Sequence, residues 1–409
     1  MGGKKTLMTA PRVFVNMHYM ELGGAERALL GLLNALDTSR VNVDLFVNQH
    51  TGEFMPLIPE KINLLPEKRG YNAIERPMKQ ILLEGQLGVL YGRLKAKRLH
   101  AKYHKTLTGE AAKMDSSGFQ YVADAVQPFL PSLEHLGEYD LAISFITPHN
   151  IVLNKVKAKK KIAWIHTDYS TIHVDVEKEL PVWSGYDYIV SISQDCTRSF
   201  LKTFPSLKEK IVEIENILSP DFVRSQADLL DVSDELSPSG IKLLSVGRYT
   251  HAKNYDNVPD IARRIVEAGF TDLRWYIVGF GSDEALIRQK IAEAGMKDHV
   301  ILLGKKENPY PYIKACDVYL QPSRYEGKSV TVREAQILCK PVIVTDYPTA
   351  HSQIQDGVDG VIVPMDNEGC ARGIVNVIRN KELLNTISAY LSTHDYGNES
   401  EVEKVYKLL

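Results

Sequence analysis

Two glutamates, Glu326 and Glu334, stand eight positions apart within residues 323–335. Pro322 and Gly327 bracket a turn, and Val330, Ala335, Ile337 and Leu338 form an apolar stripe ending before Lys340 and Pro341, so the segment reads as a loop running into a helix. At 1.5 Å rise per residue, eight residues span about 12 Å and a little over two turns, which lets both carboxylates face one cleft at separate points. That spacing suits a long, hydroxyl-rich ligand gripped at both ends. It does not suit a hydrolase pair, whose carboxyls flank one bond at about 5–10 Å.

Cations recur nearby. Arg248 and Lys253 follow an apolar run that ends at Gly247. On a loop at the carboxyl end of a parallel strand, two fixed cations can neutralise a diphosphate without a metal; the alternative is two solvated surface charges. Gly279, Phe280 and Gly281 follow a second apolar run, with Ala285 where a dinucleotide fingerprint has its third glycine. This loop either lets backbone approach a phosphate or is a packing turn. Gly23 and Gly24 precede an apolar helical stretch, where free N–H groups could meet an anion or the glycines could serve only a tight turn. His166 closes the run Ile162–Ile165, at the strand end where ligands gather in α/β sheets.

The elements that must carry these groups follow from the rest of the chain. At 409 residues the prior is two domains, and 44% hydrophobic with 24% charged residues is ordinary globular composition. A net charge of -2 argues against nucleic acid as a main partner. Cys196, Cys316, Cys339 and Cys370 lie far apart, and the histidines read as unclustered, so neither a disulfide framework nor a metal centre is expected. The chain contains no apolar run long enough for a membrane span, and its first ten residues lack a signal-peptide core, which makes the expected compartment cytoplasmic.

Short apolar runs at 13–16, 43–47, 141–145, 162–165 and 188–192 alternate with amphipathic stretches; a second series lies at 242–246, 274–278, 300–303, 318–321, 341–344 and 360–363. This is the pattern of two doubly wound parallel sheets. The expected domains are 1–216 and 217–395, with a polar linker at 217–240 and a last helical segment at 396–409 that crosses back to the first domain. An insert at about 68–135 interrupts the first series and is strongly basic between Lys68 and Lys105. Leu83, Leu87, Leu90, Tyr91 and Leu94 recur there at helical spacing, so the segment is either a basic amphipathic helix for an anionic membrane surface or a solvated helix face.

Taken in order, the Gly-Gly loop, the His166 motif, the Val-Gly-Arg-x4-Lys element and the Glu-x7-Glu signature resemble the family 4 glycosyltransferases over nearly the whole chain. The resemblance implies an α/β chain of GT-B type, two Rossmann-like domains facing across a cleft. It implies a retaining, metal-independent hexosyltransferase that uses a nucleotide-diphosphate sugar, UDP in preference to GDP. Its acceptor would be a lipid-linked or other saccharide in capsule, O-antigen or exopolysaccharide synthesis at the inner face of the membrane.

By the same resemblance Arg248 and Lys253 hold the diphosphate, Glu326 touches the donor sugar, Glu334 grips the ribose, and His166 positions donor and acceptor. Gly327, Lys328, Ser329 and Val330 offer the helix-terminal amides. Gly23, Gly24, Gly247 and Gly279 shape the phosphate side, and Lys305 and Lys306 lie near the base. Asn254 stands where many relatives have glycine and is expected in the left-handed conformation; Lys328 stands where they have an apolar residue. No cofactor beyond the nucleotide-sugar co-substrate is expected. The rival readings are a non-hydrolysing nucleotide-sugar epimerase, a sugar-nucleotide-binding pseudoenzyme and a nicotinamide dehydrogenase.

Overall fold

The computed structural model describes residues 10–21, 23–236, 239–326 and 329–409. Gly327 and Lys328, both assigned above to the donor pocket, lie outside the described residues, as do Ser237 and Pro238 of the expected linker. The chain divides into two compact units, Met1–Ile217 with Glu399–Leu409, and Leu218–Asn398.

The first unit is built on strands β1 (Arg12–Met17), β2 (Asn42–Val47), β3 (Asn63–Leu64), β4 (Tyr139–Ser144), β5 (Ala158–Ile165), β6 (Tyr188–Ser191) and β7 (Ile211–Glu213). They form one sheet in the order β3-β2-β1-β4-β5-β6-β7, every pair parallel. The second unit carries β8 (Lys242–Val246), β9 (Arg274–Val278), β10 (Val300–Gly304), β11 (Val318–Gln321), β12 (Val342–Thr345) and β13 (Val361–Val363), ordered β10-β9-β8-β11-β12-β13 and again all parallel. The apolar runs are continuous because both faces of each sheet are covered. In the second sheet Leu243, Trp275 and Ile277 enter the core on one face, while Leu244, Tyr276 and Val278 enter the core on the other. Strand order reverses between β1 and β4 in one sheet and between β8 and β11 in the other, which opens a crevice at the carboxyl ends of those strands.

Two expectations change. The segment expected as a linker is part of the second unit: Ser219 caps the helix Pro220–Ala227, and Leu218, Val223, Ala227, Val232 and Leu236 are buried in its core. Polar composition misled here because the apolar residues are few but well placed. The insert is not one helix from Leu83; Met78–Leu83 ends at Glu84, Gly85 takes φ 65°, and a second helix runs Leu87–His104. That helix buries Val89, Gly92 and Ala96, whereas Leu87, Tyr91 and Leu94 are more than half exposed.

The end of the chain, Glu399–Leu409, belongs to the first unit. Arg40 pairs with Glu403 and lies over the ring of Tyr406 at 3.8 Å, while Tyr406 Oη accepts the Asp37 N–H at 2.7 Å.

Candidate functional site

In the second unit the residues singled out by sequence gather where the sheet reverses. Gly247 ends β8, and a side chain there would meet the stem of Lys253, its Cε at 3.1 Å from an added Cβ. Glycine thus lets Lys253 lie across the end of the strand. Its ammonium reaches Glu326, with Nζ 2.6 Å from Oε1. The same oxygen accepts hydrogen bonds from Gln321 Nε2 at 2.9 Å and Ser323 Oγ at 2.6 Å. Gln321 and Ser323 are fully buried, so the Glu326 carboxylate has a fixed position at the end of β11. Arg248, which follows Gly247 on the same loop, is exposed and has no hydrogen bond or ion pair among the described residues.

Two residues that sequence reading missed hold these loops together. Arg324 makes a two-pronged pair with Asp256, at 2.8 and 2.7 Å, and donates to His251 O at 2.6 Å. The Arg324 backbone N–H also bonds Ala252 O at 2.8 Å, so the Glu326 loop is pinned to the Lys253 loop. Asn254 adopts the left-handed conformation, φ 61°, as its position implied, and its side chain donates to Pro322 O at 2.9 Å. A glycine there could supply the turn but not that bond.

Several assigned groups are occupied differently. The Gly279 N–H is taken by Gly304 O at 2.9 Å, and a Cβ at Gly279 would stand 1.9 Å from Gly247 O. Gly281 is similarly crowded by Tyr249 O. The Gly-x-Gly loop is therefore a packing turn between two strand ends, and Gly279 offers no free amide. The Ser329 N–H, before the helix Val330–Ile337, bonds Gln353 Oε1 at 3.0 Å, and Gln353 donates back to Ser329 O at 2.6 Å. That amide is free for a ligand only if Gln353 withdraws, while Val330 opens the helix beside it. Glu334 is completely buried and accepts from Tyr310 Oη at 2.8 Å. Lys305 lies over the Phe280 ring at 5.4 Å. Lys306 is held by Glu235, which also accepts from Tyr312 Oη at 2.5 Å, so it is a structural cation and not a free one.

In the first unit His166 follows β5 against Phe145, with ring centroids 4.6 Å apart. Burial pushes its pKa down to about 3, so the imidazole is neutral at ordinary pH. Its Nε2 is shielded and lacks a hydrogen-bond partner. His18 after β1 and His149 after β4 share that feature, each with a shielded, unpartnered Nε2. Their other ring nitrogens are engaged, His18 Nδ1 with Glu75 at 3.1 Å and His149 Nδ1 with Ser144 Oγ at 2.8 Å. His18 and His149 were missed by sequence; their positions just past two strands were the available signal.

The Gly-Gly loop is not an open anion cradle. A Cβ at Gly23 would fall 2.1 Å from Glu26 Oε2, because the Glu26 carboxylate folds back over the start of the helix Gly24–Ala35. Gly23 makes room for that carboxylate, whose pKa burial raises, while Gly24 has open space around it. The expectation of unclustered histidines also fails: His100, His104 and Asp115 converge, their ligand atoms all within 4.8 Å of one another. His100 and His104 are four residues apart on one helix, a spacing legible in the sequence.

A profile of the Glycosyl transferases group 1 family matches residues 232–392, the stretch that carries Lys253, Glu326 and Glu334. Residues 232–392 are a group 1 glycosyltransferase domain. Among curated relatives, the amylovoran biosynthesis glycosyltransferase AmsD of Erwinia amylovora is 24% identical over 241 residues, 58% of this chain and 67% of AmsD. The N-acetylgalactosamine-N,N'-diacetylbacillosaminyl-diphospho-undecaprenol 4-alpha-N-acetylgalactosaminyltransferase of Campylobacter jejuni is 29% identical over 143 residues, 34% of this chain and 38% of that enzyme. The chain thus spans well under half of that relative. Among solved structures, Anabaena HepE in complex with UDP-glucose superposes with TM-score 0.61 at 15% identity, covering 98% of this chain and all of HepE. The glycosyltransferase domain and the sheet that precedes it have the two Rossmann-like domains of the GT-B fold.

Proposed function

We propose that this chain is a retaining glycosyltransferase of the family 4 type. It transfers a hexosyl group from a nucleoside-diphosphate sugar, UDP in preference to GDP, to a lipid-linked saccharide in cell-surface polysaccharide assembly. The observation that carries this reading is the Lys253–Glu326 pair, fixed at the strand reversal of a group 1 domain, with Arg248 exposed on the loop that carries Lys253. Departure of the diphosphate builds negative charge on its oxygens and positive charge at the anomeric carbon. Arg248 and Lys253 meet the first, and the Glu326 carboxylate meets the second. Metal is not needed at that step, because two cations supply the charge. Donor contacts are assigned to the second unit, with Glu334 at the ribose and Lys305 beside the base.

Acceptor contacts are assigned to the first unit. A cavity of about 840 Å³ lies between its insert helices and the ends of its strands, bordered by His18, Met78, Leu94, Phe119 and Ile151. Apolar walls with a few polar groups suit a lipid-linked molecule. Leu83, Leu87, Tyr91, Leu94 and Phe119 are more than half exposed on the insert among its lysines, which supports peripheral contact with an anionic membrane at its cytoplasmic face. Among the described residues no helix is long and apolar enough to cross a membrane. The relatives' names support the same class: AmsD serves amylovoran biosynthesis, and the Campylobacter enzyme's name specifies a diphospho-undecaprenol-linked acceptor.

The test is transfer from a panel of UDP- and GDP-sugars to undecaprenyl-diphosphate saccharides, in acidic and neutral liposomes, with magnesium and manganese omitted or added. Transfer from a UDP-sugar, indifferent to both cations and favoured by acidic lipid, is expected. Donor binding without transfer to any acceptor would favour the pseudoenzyme, and conversion of the sugar nucleotide without acceptor would favour the epimerase.

A further inference from the structure

We propose that His100, His104 and Asp115 form a binding site for a divalent transition-metal ion of the zinc class, set in the insert of the first unit and separate from the donor residues. His100 and His104 project from one face of the helix Leu87–His104. Asp115 comes from the segment after the helix Gly109–Lys113, where it forms an isolated parallel bridge with His173. One carboxylate oxygen faces both rings: Asp115 Oδ2 lies 2.9 Å from His100 Nε2 and 2.6 Å from His104 Nδ1. The other oxygen is fixed, accepting from the Ser117 N–H at 3.0 Å and from Ser117 Oγ at 2.6 Å. The Asp115 side chain is only 2% exposed, while those of His100 and His104 are 29% and 47% exposed.

The donor set selects the ion. Two imidazole nitrogens and one carboxylate oxygen match zinc, cobalt or nickel, whereas magnesium and calcium prefer oxygen alone. Bonds of about 2.0–2.2 Å put the ligand atoms of a tetrahedral site about 3.3 Å apart. Asp115 Oδ2, now 2.9 and 2.6 Å from the two ring nitrogens, has only to draw back from them by under about 1 Å to admit the ion, and the two nitrogens already lie within 4.8 Å of one another. His100 is held from behind by Tyr121, ring centroids 5.7 Å apart, and a Cβ on Gly118 would press it at 3.3 Å. Its ring is therefore oriented before any ion arrives.

Three protein ligands leave at least one position open. His100 and Asp115 both border the 840 Å³ cavity, together with Gln127, whose side-chain oxygen and nitrogen are both shielded and unpartnered. The open position is available to water or to an oxygen of a molecule in that cavity. An ion here would also clamp the helix Leu87–His104 to the turn that starts the helix Gly118–Val126, fixing one wall of the cavity.

The experiment uses the full chain without an affinity tag, freed of metal by chelation and dialysis. It is titrated with zinc by calorimetry, and with cobalt by visible absorbance. One equivalent bound, with the intense absorbance of low-coordinate cobalt, is expected. Loss of partners that merely orient ligands weakens metal sites about 10–100-fold, so His104→Gln and His100→Gln are each expected to weaken binding by about 100-fold or more. His104 is half exposed, so its variant retains the fold, and thermal denaturation without metal checks this. Zinc raises the melting temperature of the parent protein and not of the variants. Cys196→Ser leaves binding unchanged. The proposal is overturned if the folded parent fails to bind zinc at about 0.1 mM, far above the affinity of protein zinc sites. It is equally overturned if both histidine variants bind as the parent does, and the cluster is then a hydrogen-bonded triad only.

Discussion

Lys253 Nζ and Glu326 Oε1, 73 residues apart in sequence, form a 2.6 Å ion pair at the carboxyl end of the second sheet. The cation assigned to the diphosphate thus neutralises the carboxylate assigned to the sugar before donor arrives. Glu326 keeps two other hydrogen bonds, from Gln321 and Ser323, which hold it in place independently of the lysine.

Replacing either partner separates their roles. Lys253→Ala and Arg248→Ala should each lower kcat/KM for the donor by roughly 2–4 kcal/mol in transition-state stabilisation. Glu326→Gln should lower kcat sharply and leave UDP affinity equal or tighter, because the lysine is no longer held by a carboxylate. Calorimetry with UDP beside steady-state kinetics checks this. Weaker UDP binding in Glu326→Gln would remove that carboxylate from the sugar end.

Arg324 is a positioning residue, joining the Glu326 loop to Asp256 and His251. The pair is partly exposed, 25% at Arg324 and 20% at Asp256, so its loss is expected to cost about 1–2 kcal/mol of stability, between surface and buried cases. Arg324→Ala should lower kcat more than it raises the donor KM. Arg324→Lys should not restore the rate, since an ammonium cannot make the two-pronged contact. Equal kinetics for all three proteins would make the staple irrelevant to turnover.

The burial of Glu334 gives its substitution two effects. Glu334→Gln should raise the UDP dissociation constant, through lost ribose contact, with little change in kcat at saturation. It should also lower the melting temperature, because the buried Tyr310 hydroxyl loses its carboxyl acceptor inside the protein. Tyr310→Phe should reproduce part of both effects. Thermal denaturation with and without UDP reads them together; a melting temperature lowered equally with and without UDP would leave Glu334 a purely structural residue.

His166 sets a pH dependence whose sign is fixed by burial. With a folded pKa of about 3 against an ordinary value near 6.5, the unfolded chain binds a proton that the folded chain refuses throughout that window. Stability from this group is complete above about 6.5 and is lost as pH falls toward 3. Buried His149 acts in the same direction. Glu179, raised to about 7 by burial, acts oppositely: its contribution is complete below its ordinary value and is lost as pH rises through 7. Urea midpoints at neutral and acid pH should therefore fall less on acidification in His166→Gln than in the parent. Any acid limb of kcat/KM near pH 6–7 should persist in that variant.

Much of the scaffold was legible because parallel strands covered on both faces must be apolar throughout. Each of the eleven runs read from the sequence coincides with a strand, whereas β3 and β7, two and three residues long, are too short to register. The helix Pro220–Ala227 was read as linker because its flanks are polar. Its burial depends on what packs above it, a fact outside the local window.

Within the site, the residue types and their places at strand ends or on the helix that follows were determined by the sequence alone: a glycine at 247, cations at 248 and 253, carboxylates at 326 and 334, and the left-handed turn at Asn254. Only the tertiary structure decided which of these groups are already engaged. Gly279 gives its amide to Gly304, Ser329 exchanges bonds with Gln353, and Gly23 yields its space to Glu26. It also decided that Lys253 meets Glu326, and that Asp115 joins His100 and His104. The reason is one of range: periodicity and turn chemistry act over a few residues, while a hydrogen-bond partner is chosen by whichever element the folded sheet places a few ångströms away.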